Sequence, residues 1–416
     1  MSTSTPSPAS TAELLTTAQV ARYLGVKTET VYAYVSRGRL TPVRHPGQRA
    51  SLFHLAQVQA LRPGSTRTDG SGGSVGRGLA ESIHTSITLL EKDHLYYRGQ
   101  DAVVLAESGA SAEDVCRLLW EAPEVAIAAD EELAAATRAG LAALPPGARL
   151  VDRLRLAVLL LGAADPLRHV PGAQDVIARA AVAVPTVAAA LSPAGQPPRH
   201  PKGENAGTPT TLAARWCAAL GGSPDDPESV DLVRRVLVLL ADHDMAGSTT
   251  AVRVSASVRA DLYSCLLAGL SAMDSPLHGS AGLDARVLAA SVREDPTALL
   301  GRVLVSERPP AGFGHKVYVE RDPRAESLLA TLRNLPDTQP DPWRDFEDAL
   351  MAHRGWFPTS DWALALLTLR QGWAGEATEV LFAAARLAGW VAHVLEEQQE
   401  PALRFRLTGV YRGPRP

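Results

Sequence analysis

The apolar positions of this chain recur mainly at the spacing of α-helices. Alanine- and leucine-rich stretches dominate, whereas the alternation of β-branched and polar residues that is typical of half-buried strands is scarce. The pattern therefore predicts an all-α core, and 416 residues suffice for two or three domains. The segments that we predict to be helical are 102–122, 129–143, 150–163, 173–191, 208–220, 227–242, 247–272 and 376–397.

A shorter pattern lies near the N-terminus. Thr16 or Thr17 can cap a first short helix, which Gly25 ends. Thr28 can cap a second helix, which Gly38 ends. Two short helices separated by a tight turn that contains glycine are the helix-turn-helix pattern.

The rest of this N-terminal unit, which we place at residues 13–62, carries a strand pattern and then a helix pattern. Residues 40–43 and 50–53 flank His45–Gln48 and predict a small hairpin or wing. Residues 54–61 predict a third helix. The unit is therefore predicted to be a small winged helix-turn-helix domain.

Segments of low apolar content separate the predicted units. Residues 1–12 are rich in Ser, Thr and Pro, lack the charged and apolar regions of a signal peptide, and predict a disordered tail. Residues 63–77 are rich in Gly and Ser and predict a flexible linker. Residues 193–207 predict a surface loop within a long helical domain at 78–416.

Charge is distributed unevenly along the chain. The net charge is −4, yet residues 13–67 hold eight Arg or Lys residues and two Glu residues. A basic unit on an acidic body indicates that one end of the protein meets a polyanion. The alternative is a small helical module that mediates dimer contacts or binds nothing. The candidates for contacting DNA bases and phosphates are Lys27, Thr28, Thr30, Tyr32, Arg37, Arg44 and Arg49.

Cysteine usage and the length of apolar runs indicate the compartment. Cys116, Cys217 and Cys265 are odd in number and widely spaced, so neither a disulfide framework nor a metal site is predicted, and a cytoplasmic location fits. The longest apolar runs, such as Leu156–Ala164, are shorter than a bilayer-spanning helix, so no membrane contact is predicted.

The most informative chemistry lies in a histidine flanked by glycines. The run Gly312–Tyr318 contains His315 and is followed by Asp322-Pro323-Arg324. An imidazole donates to a carbonyl oxygen, and a guanidinium group forks onto a carboxylate. Such a run is also compatible with a simple turn, but other residues suited to the same chemistry occur along the chain: His243, His278, Asp361, Arg386 and Arg406.

These residues lie in motifs that follow one another in a definite order. The motifs are Leu95–Asp101, Leu105–Glu107, Leu118–Pro123, Ala241–Asp244, Ser275–Gly279, Gly312–Arg324, Phe357–Asp361, Phe382–His393 and Arg406 with Tyr411–Pro414. From residue 78 onward the chain thereby resembles the citrate synthase family, including its 2-methylcitrate synthase branch. Leu15–Pro42 resembles the winged helix-turn-helix of the MerR and excisionase families.

The citrate synthase resemblance implies an all-α, two-lobed citrate synthase-like helical fold and a homodimer. The large lobe would comprise 78–278 and 370–416, and the small lobe 279–369 would close over the substrates. The implied reaction condenses acetyl-CoA with oxaloacetate or a related keto acid. Acetyl-CoA is then a substrate, and neither a cofactor nor a metal is expected.

The resemblance also implies residue roles. Asp361 would take a proton from the thioester methyl group, and His278 would donate to the thioester oxygen. His315 would polarise the ketone. The residues expected to bind the keto acid are His243, Arg324, Arg386 and Arg406, the last of which comes from the partner subunit in the family.

Several of these residues have simpler alternatives. His243 at a helix end can cap the helix or fill the core, and Asp361 can be a helix N-cap as well as a base. Arg404 competes with Arg406 for the role in the tail. His393 is interpreted as structural.

Four positions depart from the family pattern. Leu240 stands where a second histidine is usual, Ala246 stands where an asparagine is common, and the run through Gly282 lacks another usual asparagine. Val319 stands where a basic or polar residue is common. Because these changes lie around the keto acid, the identity of the acceptor is left open.

Two functions are compatible with the sequence. One is an active condensing enzyme of the citrate synthase type. The alternative is a DNA-binding transcription regulator whose synthase-like domain senses acetyl-CoA or a keto acid. A dimeric enzyme would present two DNA-binding modules, so both functions can coexist.

Overall fold

The computed structural model divides into two units, Met1–Val75 and Gly76–Pro416. The predicted tail and linker, and half of the predicted third helix at 54–61, lie outside the described residues. Residues 194–207 of the predicted loop at 193–207 also lie outside the described residues. Apart from the side chains of Leu14 and Arg22, the described residues are 14–24, 26–43, 51–54, 57–58, 61, 83–193, 210–275, 278–279, 281–335 and 341–405.

The first unit has two short helices and two short strands within its described part. Strand β1 (Leu14–Thr16) leads into helices α1 (Thr17–Leu24) and α2 (Thr28–Ser36). Strand β2 (Leu52–His54) pairs antiparallel with β1. The two predicted helices of the helix-turn-helix are thus present, and the small core consists of Val20, Ala21, Val31, Leu40, Phe53 and Val58.

Two details of this unit differ from the prediction. The predicted wing is a single bridge between Val43 and Leu52, because Leu52–His54 pairs along its length with β1. Thr28 is the first residue of α2 rather than its cap, and Lys27 in the cap position makes no capping hydrogen bond through its side chain.

The cap of α1 agrees with the prediction. The hydroxyl of Thr16 accepts the N–H of Gln19 at 3.3 Å, and Oε1 of Gln19 accepts the N–H of Thr16 at 2.8 Å. This reciprocal pair satisfies two backbone donors at the start of the helix.

A small sheet that the sequence pattern did not predict opens the second unit. Strands β3 (Thr88–Glu91), β4 (His94–Tyr97) and β5 (Gln100–Asp101) form an antiparallel sheet in that order. Their alternation of buried and half-buried residues spans only four positions, which is too short to stand out in the sequence.

Helices form most of the remaining described part of this unit. They are α3 (Ala102–Glu107), α4 (Ala112–Trp120), α5 (Glu131–Leu141), α6 (Leu150–Ala164), α7 (Ala173–Leu191), α8 (Leu212–Ala219), α9 (Pro227–Leu239), α10 (Gly247–Ser257), α11 (Leu262–Met273), α12 (Ala281–Glu294), α13 (Pro296–Leu304), α14 (Pro323–Asn334), α15 (Pro342–Arg354), α16 (Ser360–Arg370) and α17 (Ala377–Gln399).

Two of the predicted helices are each split in two. Residues 102–122 break before Ser111, whose side chain starts α4 with a capping box. Residues 247–272 break at Arg259, which has a φ of 62°, and Asp261 then caps α11. Helices α12–α16, which were not predicted individually, lie within the predicted small lobe.

Helix α17 is almost completely buried and runs beside the segment that carries His243. A Cβ atom at Gly389 would lie 2.4 Å from the carbonyl oxygen of Ala241, so only glycine allows this approach. The N–H of Gly389 donates to that same oxygen at 3.1 Å. This contact fixes His243 against the helix that bears Arg386.

Helices α7 and α17 are long and apolar enough to span a membrane by length and composition alone, although neither is a continuous apolar run of that length. Both are mostly buried inside the unit, α17 almost entirely, as core helices are.

Candidate active site

His315 and Asp361 lie on two segments that pair through their backbones. Residues 312–314 and 357–359 exchange hydrogen bonds of 2.8 and 2.9 Å. Gly312 has a φ of 83°, and a Cβ there would press against α16, so the turn requires glycine. The two motifs thereby form one wall of a site, which we call the histidine wall.

The ring of His315 is fixed in one tautomer by its own loop. The backbone N–H groups of Val317 and Tyr318 donate to Nδ1 at 3.0 and 3.3 Å. The proton of the neutral ring is therefore on Nε2. Burial lowers the pKa of His315 to about 4, and the charge of Arg324 acts in the same direction. At neutral pH this side chain is a neutral hydrogen-bond donor.

Asp361 is the second residue of α16, and Thr359 occupies the N-cap position, so the N-cap alternative for Asp361 was wrong. Within the described structure its carboxylate accepts no hydrogen bond. Burial raises the pKa of Asp361 to about 6, against the lowering effect of Arg324. The group is therefore ionised at neutral pH, yet more basic than an ordinary aspartate.

Arg324 is buried and already paired with a carboxylate. Its Nε and Nη2 donate to the two oxygens of Asp322 at 2.9 and 2.8 Å. Asp322 also accepts the N–H of Ser360 at 3.0 Å, and the guanidinium lies 5.1 Å from the ring centre of Tyr318. Sequence reasoning missed this pairing, which occupies Nε and one of the two N–H groups of Nη2.

Arg386 on α17 belongs to the facing side of the site, which we call the arginine wall. Its Nη1 donates to the carbonyl oxygen of Leu240 at 2.7 Å, while its Nε has no partner. Burial lowers the pKa of Arg386 to about 10, with Arg324 contributing. The group still carries its charge at neutral pH, and no carboxylate of the described residues bonds to it.

His243 lies on the same wall, four residues after the end of α9. Its ring is edge-on to His315 and Tyr318, with centroid distances of 5.2 and 5.3 Å. The ring is 8% exposed, and its Nε2 has no partner. Burial holds the pKa of His243 well below its usual range, and Arg324 and Arg386 add to the effect. His243 therefore neither caps a helix nor saturates its hydrogen bonds in the core.

His278 lies between α10 and α17, the helix that bears Arg386. Its Nε2 is 2.8 Å from Oγ of Ser248, and its ring is edge-on to Phe382 at 5.9 Å. The guanidinium of Arg386 lies 4.6 Å from the centre of the same Phe382 ring. Burial lowers the pKa of His278, as does the charge of Arg386.

Three of the departures from the family pattern can be placed. Leu240 is fully buried and contributes its carbonyl oxygen, rather than a side chain, to Arg386. Ala246 precedes α10 and makes no side-chain cap. A Cβ at Gly282 would lie 3.1 Å from the Cβ of Thr378, so this glycine packs tightly on α17.

A buried ionic network, which sequence reasoning missed, lies behind the arginine wall. His393 Nε2 is 3.2 Å from a carboxylate oxygen of Asp242, the neighbour of His243. The Nη1 of Arg253 donates to Nδ1 of His393 at 2.9 Å, and its Nε donates to Glu397 at 2.9 Å. The interpretation of His393 as structural agrees with this placement.

Some predicted functional residues are not in the site or lie outside the described residues. Arg406 lies outside them, as do Arg44 and Arg49. Arg404 is engaged elsewhere, because its Nε donates to Glu397 at 2.6 Å. In the N-terminal unit, the Tyr32 side chain is 60% exposed. The other described candidates there are exposed or half-buried: Lys27, Thr28, Thr30 and Arg37.

The site combines a carboxylate base, a neutral imidazole donor and an uncompensated guanidinium. Within the described part of the chain, no group of three or more His, Cys, Asp or Glu residues is arranged to hold a metal. Such a set can remove a proton from carbon and direct the resulting nucleophile onto a carbonyl group. The protein is thus of the condensing acyltransferase class.

Comparison with known proteins agrees with this class. The family description "Citrate synthase, C-terminal domain" matches residues 78–406, and "Helix-turn-helix domain" matches residues 14–61. Citrate synthase 2 of Bacillus subtilis is 29% identical over 365 residues, which cover 81% of this chain and 96% of that protein. The chain belongs to the citrate synthase family, and it is a citrate synthase-like acyltransferase.

The chain also matches a second curated relative and a solved structure. 2-Methylcitrate synthase 1 of Corynebacterium glutamicum is 28% identical, with 82% of this chain and 96% of that protein covered. The ternary complex of Thermoplasma acidophilum citrate synthase with carboxymethyl coenzyme A and oxaloacetate has a TM-score of 0.64 at 23% identity. It covers 80% of this chain and 94% of that one, and shows the shared fold.

Proposed function

We propose that this enzyme condenses acetyl-CoA with oxaloacetate or a related keto acid, to give a citrate-type product and CoA. The observation that carries the proposal is a set of buried polar atoms without partners around His315. They are Nε of Arg386, Nε2 of His243 and the hydroxyl of Tyr318. Buried polar atoms are normally hydrogen-bonded, so these atoms indicate a missing polar ligand. A keto acid carries the carboxylate and ketone oxygens that would satisfy them.

In the first step, Asp361 takes a proton from the methyl carbon of the thioester. Its raised pKa makes it a stronger base than an exposed aspartate. When Ser248 donates its hydroxyl proton to Nε2 of His278, the ring proton lies on Nδ1. That N–H then donates to the thioester oxygen, where the enolate charge develops.

In the second step, the enolate carbon attacks the ketone carbon of the keto acid. The Nε2–H of His315 donates to the ketone oxygen and stabilises the alkoxide as it forms. Because His315 is neutral, it keeps its Nε2 proton and polarises the ketone through a hydrogen bond. The alkoxide then takes up one proton to become the hydroxyl group of the product, which balances the proton that Asp361 removed from the methyl carbon. Attack of water on the thioester then breaks the C–S bond and releases CoA as its thiol.

The carboxylates of the keto acid bind between the two walls. The unpartnered Nε of Arg386 and the guanidinium N–H groups of Arg324 that Asp322 does not occupy offer charge-assisted donors, and His243 offers a further contact. Arg406 would complete this set from the partner subunit of a homodimer. Three free cysteines fit a cytoplasmic location.

The test is release of free CoA thiol from acetyl-CoA by the purified full-length chain. Oxaloacetate, pyruvate and 2-oxoglutarate are supplied separately, and propionyl-CoA replaces acetyl-CoA in a second series. The matched control is Asp361→Asn, which keeps the shape of the base and removes its basicity. We expect roughly 10²–10⁴-fold less thiol release from the variant. Equal release by both proteins with every keto acid would refute the assignment.

A second function, DNA binding by the N-terminal unit, is favoured by the match of residues 14–61 to a helix-turn-helix domain. The exposed side chains at the start of α2 would enter the major groove. We expect a gel shift on DNA from upstream of the gene that weakens steeply as salt increases. No shift at low salt, or a shift that is unchanged in a Lys27→Ala, Arg37→Ala double variant, would contradict this role.

A further inference from the structure

The hairpin formed by β3 and β4 touches the histidine wall at its turn. Asp93 in the turn accepts the backbone N–H of Val319 at 2.8 Å and that of Glu320 at 2.9 Å. These two residues lie between His315 and Arg324 in the chain. The N–H of Val319 lowers the pKa of Asp93, and that of Glu320 adds to the effect, which shows that the carboxylate form is the one held.

The other end of the same hairpin touches the arginine wall. The hydroxyl of Tyr97 donates to the carbonyl oxygen of Leu239 at 2.9 Å, and the hydroxyl of Thr88 donates to a carboxylate oxygen of Asp242. Leu239 and Asp242 flank Leu240, whose carbonyl holds Arg386. Asp242 also directly precedes His243.

The hairpin is short and paired along both strands, so it can keep its turn and its open end at a fixed separation. Thr88 pairs with Tyr97 at its open end, and Glu91 pairs with His94 next to the turn. Lys92 and Asp93 both have positive φ angles, of 50° and 59°, as a tight hairpin turn requires.

Asp93 holds the exposed middle of a loop whose two ends are buried, at Tyr318 and at Asp322. Val319 is 81% exposed, and Glu320 is also exposed, so burial does not fix this stretch. Its two backbone donors are satisfied by one carboxylate on a different element. Hydrogen bonds to a charged acceptor are stronger than neutral ones.

From these contacts we infer that Asp93 is a positioning residue for the condensation. The hairpin holds the loop of His315 and Arg324 at a set distance from the segment of His243 and Arg386. This inference rests on the proposed function for the roles of those four residues. Asp93 itself touches no reacting atom.

The test compares Asp93→Ala with Asp130→Ala in the full-length chain. Asp130 is a matched control, because it also accepts a backbone N–H, that of Leu133, at a helix start. We expect Asp93→Ala to raise the KM of the keto acid roughly tenfold, equal to about 1.4 kcal/mol, and to leave the KM of acetyl-CoA within about twofold. Asp93→Asn, which keeps one acceptor oxygen, should fall between wild type and Ala.

Hydrogen exchange of the peptide that contains residues 315–324 gives a readout that does not depend on activity. We expect faster exchange at Val319 and Glu320 in Asp93→Ala and no change in Asp130→Ala. Loss of folded protein alone would lower kcat for every substrate without changing any KM. If hydrogen exchange at Val319 and Glu320 is unchanged in Asp93→Ala, the inference is overturned, even if the enzyme turns over. If exchange is faster in the variant but the wild-type enzyme shows no turnover, the proposed function is contradicted instead.

A double variant tests whether the hairpin acts as one unit. Tyr97→Phe removes the hydrogen bond of the open end to Leu239 and keeps the ring in the core. If the hairpin sets the distance between the walls, Asp93→Ala combined with Tyr97→Phe should affect the KM of the keto acid little more than either change alone. If the fold changes in KM of the two single variants multiply in the double variant, the two contacts act independently and the inference is contradicted.

Discussion

Arg253 and Arg386 are both buried in the helical core of the second unit, but their surroundings differ. Arg253 donates to Glu397 at 2.9 Å and to Glu396 at 2.5 Å, and it also bonds to His393. Arg386 donates to one backbone carbonyl oxygen, and its Nε has no partner. One arginine is therefore neutralised by the protein, and the other is not.

The difference teaches how a structural charge is distinguished from a functional one. An unpaired buried charge is costly, so a fold retains it only where something else compensates. Around Arg253 the compensation comes from the two carboxylates that pair with it, although its Nη2 also has no hydrogen-bond partner. Around Arg386 the charge of Asp242 acts without forming an ion pair, and the imidazoles of His243 and His315 are neutral, so we propose that a bound anion completes the compensation.

The largest effect that we expect is a contrast between Arg253→Met and Arg386→Met. The first removes the ion pairs of Arg253 with Glu396 and Glu397, although Ser86 and Arg404 still bond to these carboxylates, so the free energy of unfolding should fall by about 3 kcal/mol. The second removes an uncompensated charge and leaves only the carbonyl of Leu240 unpaired, so the loss should be about 1 kcal/mol or less. Urea unfolding followed by tryptophan fluorescence measures both.

Activity should respond in the opposite way to these two changes. Arg386→Met should raise the KM of the keto acid at least about tenfold, because a charged hydrogen bond to the substrate is lost. The folded fraction of Arg253→Met should keep the wild-type KM. Arg386→Lys is the control that keeps the charge without the fork, and it should lie between wild type and Met. A normal KM in Arg386→Met would remove Arg386 from the binding site.

The comparison also shows what the sequence could and could not predict. Arg386 stood out as a charge on an apolar helix, and the motif order around His278, His315 and Asp361 placed the site. Each of these signals is local, consisting of a residue type and its near neighbours. The helical spacing of apolar residues predicted most of the core helices. For α7 the predicted bounds are the same as those observed.

The features that were missed depend on contacts between distant segments. The partners of Arg253 are about 140 residues away in the chain, and those of Asp93 more than 220. No local pattern marks such pairs. The pairing of Arg324 with Asp322 is close in sequence, but Asp322 before proline predicts a helix N-cap, and only the fold shows that its carboxylate faces the guanidinium.

The next effect is a pH dependence that separates the base of the histidine wall, Asp361, from its imidazole donor, His315. Asp361 acts as a base only when ionised, and its pKa is about 6. We expect kcat/KM to fall about tenfold per unit as the pH drops below 6. His315, with a pKa of about 4, stays neutral throughout this range. Initial rates from pH 5 to 8 measure the profile, and a midpoint near 4 would indicate that a different base acts.

Stability should show the same titration with a defined sign. The pKa of Asp361 is raised in the folded state, so its protonated form favours folding below its unfolded value near 4. This contribution is lost as the pH rises through 6. Asp361→Asn should therefore melt higher than wild type above pH 6 and at a similar temperature below pH 4. A constant difference across this range would mean that Asp361 is not desolvated.

The smallest effect concerns Glu379, which tests how far an unpartnered buried group marks a site. Glu379 lies two helical turns before Arg386 on α17, is 1% exposed, and has no partner for either carboxylate oxygen. Burial raises the pKa of Glu379, and the nearby charge of Asp274 does so too. The charges that act on Glu379 are mainly acidic, those of Asp274, Glu376 and Asp152. We therefore expect no anion to bind there, in contrast to the site that we propose beside Arg386. We expect Glu379→Met to stabilise the protein by about 1 kcal/mol and to leave both KM values unchanged. A rise in either KM would show that the substrate site extends along α17 to this carboxyl group. It would also show that charge neutralisation alone does not distinguish structural buried charges from functional ones.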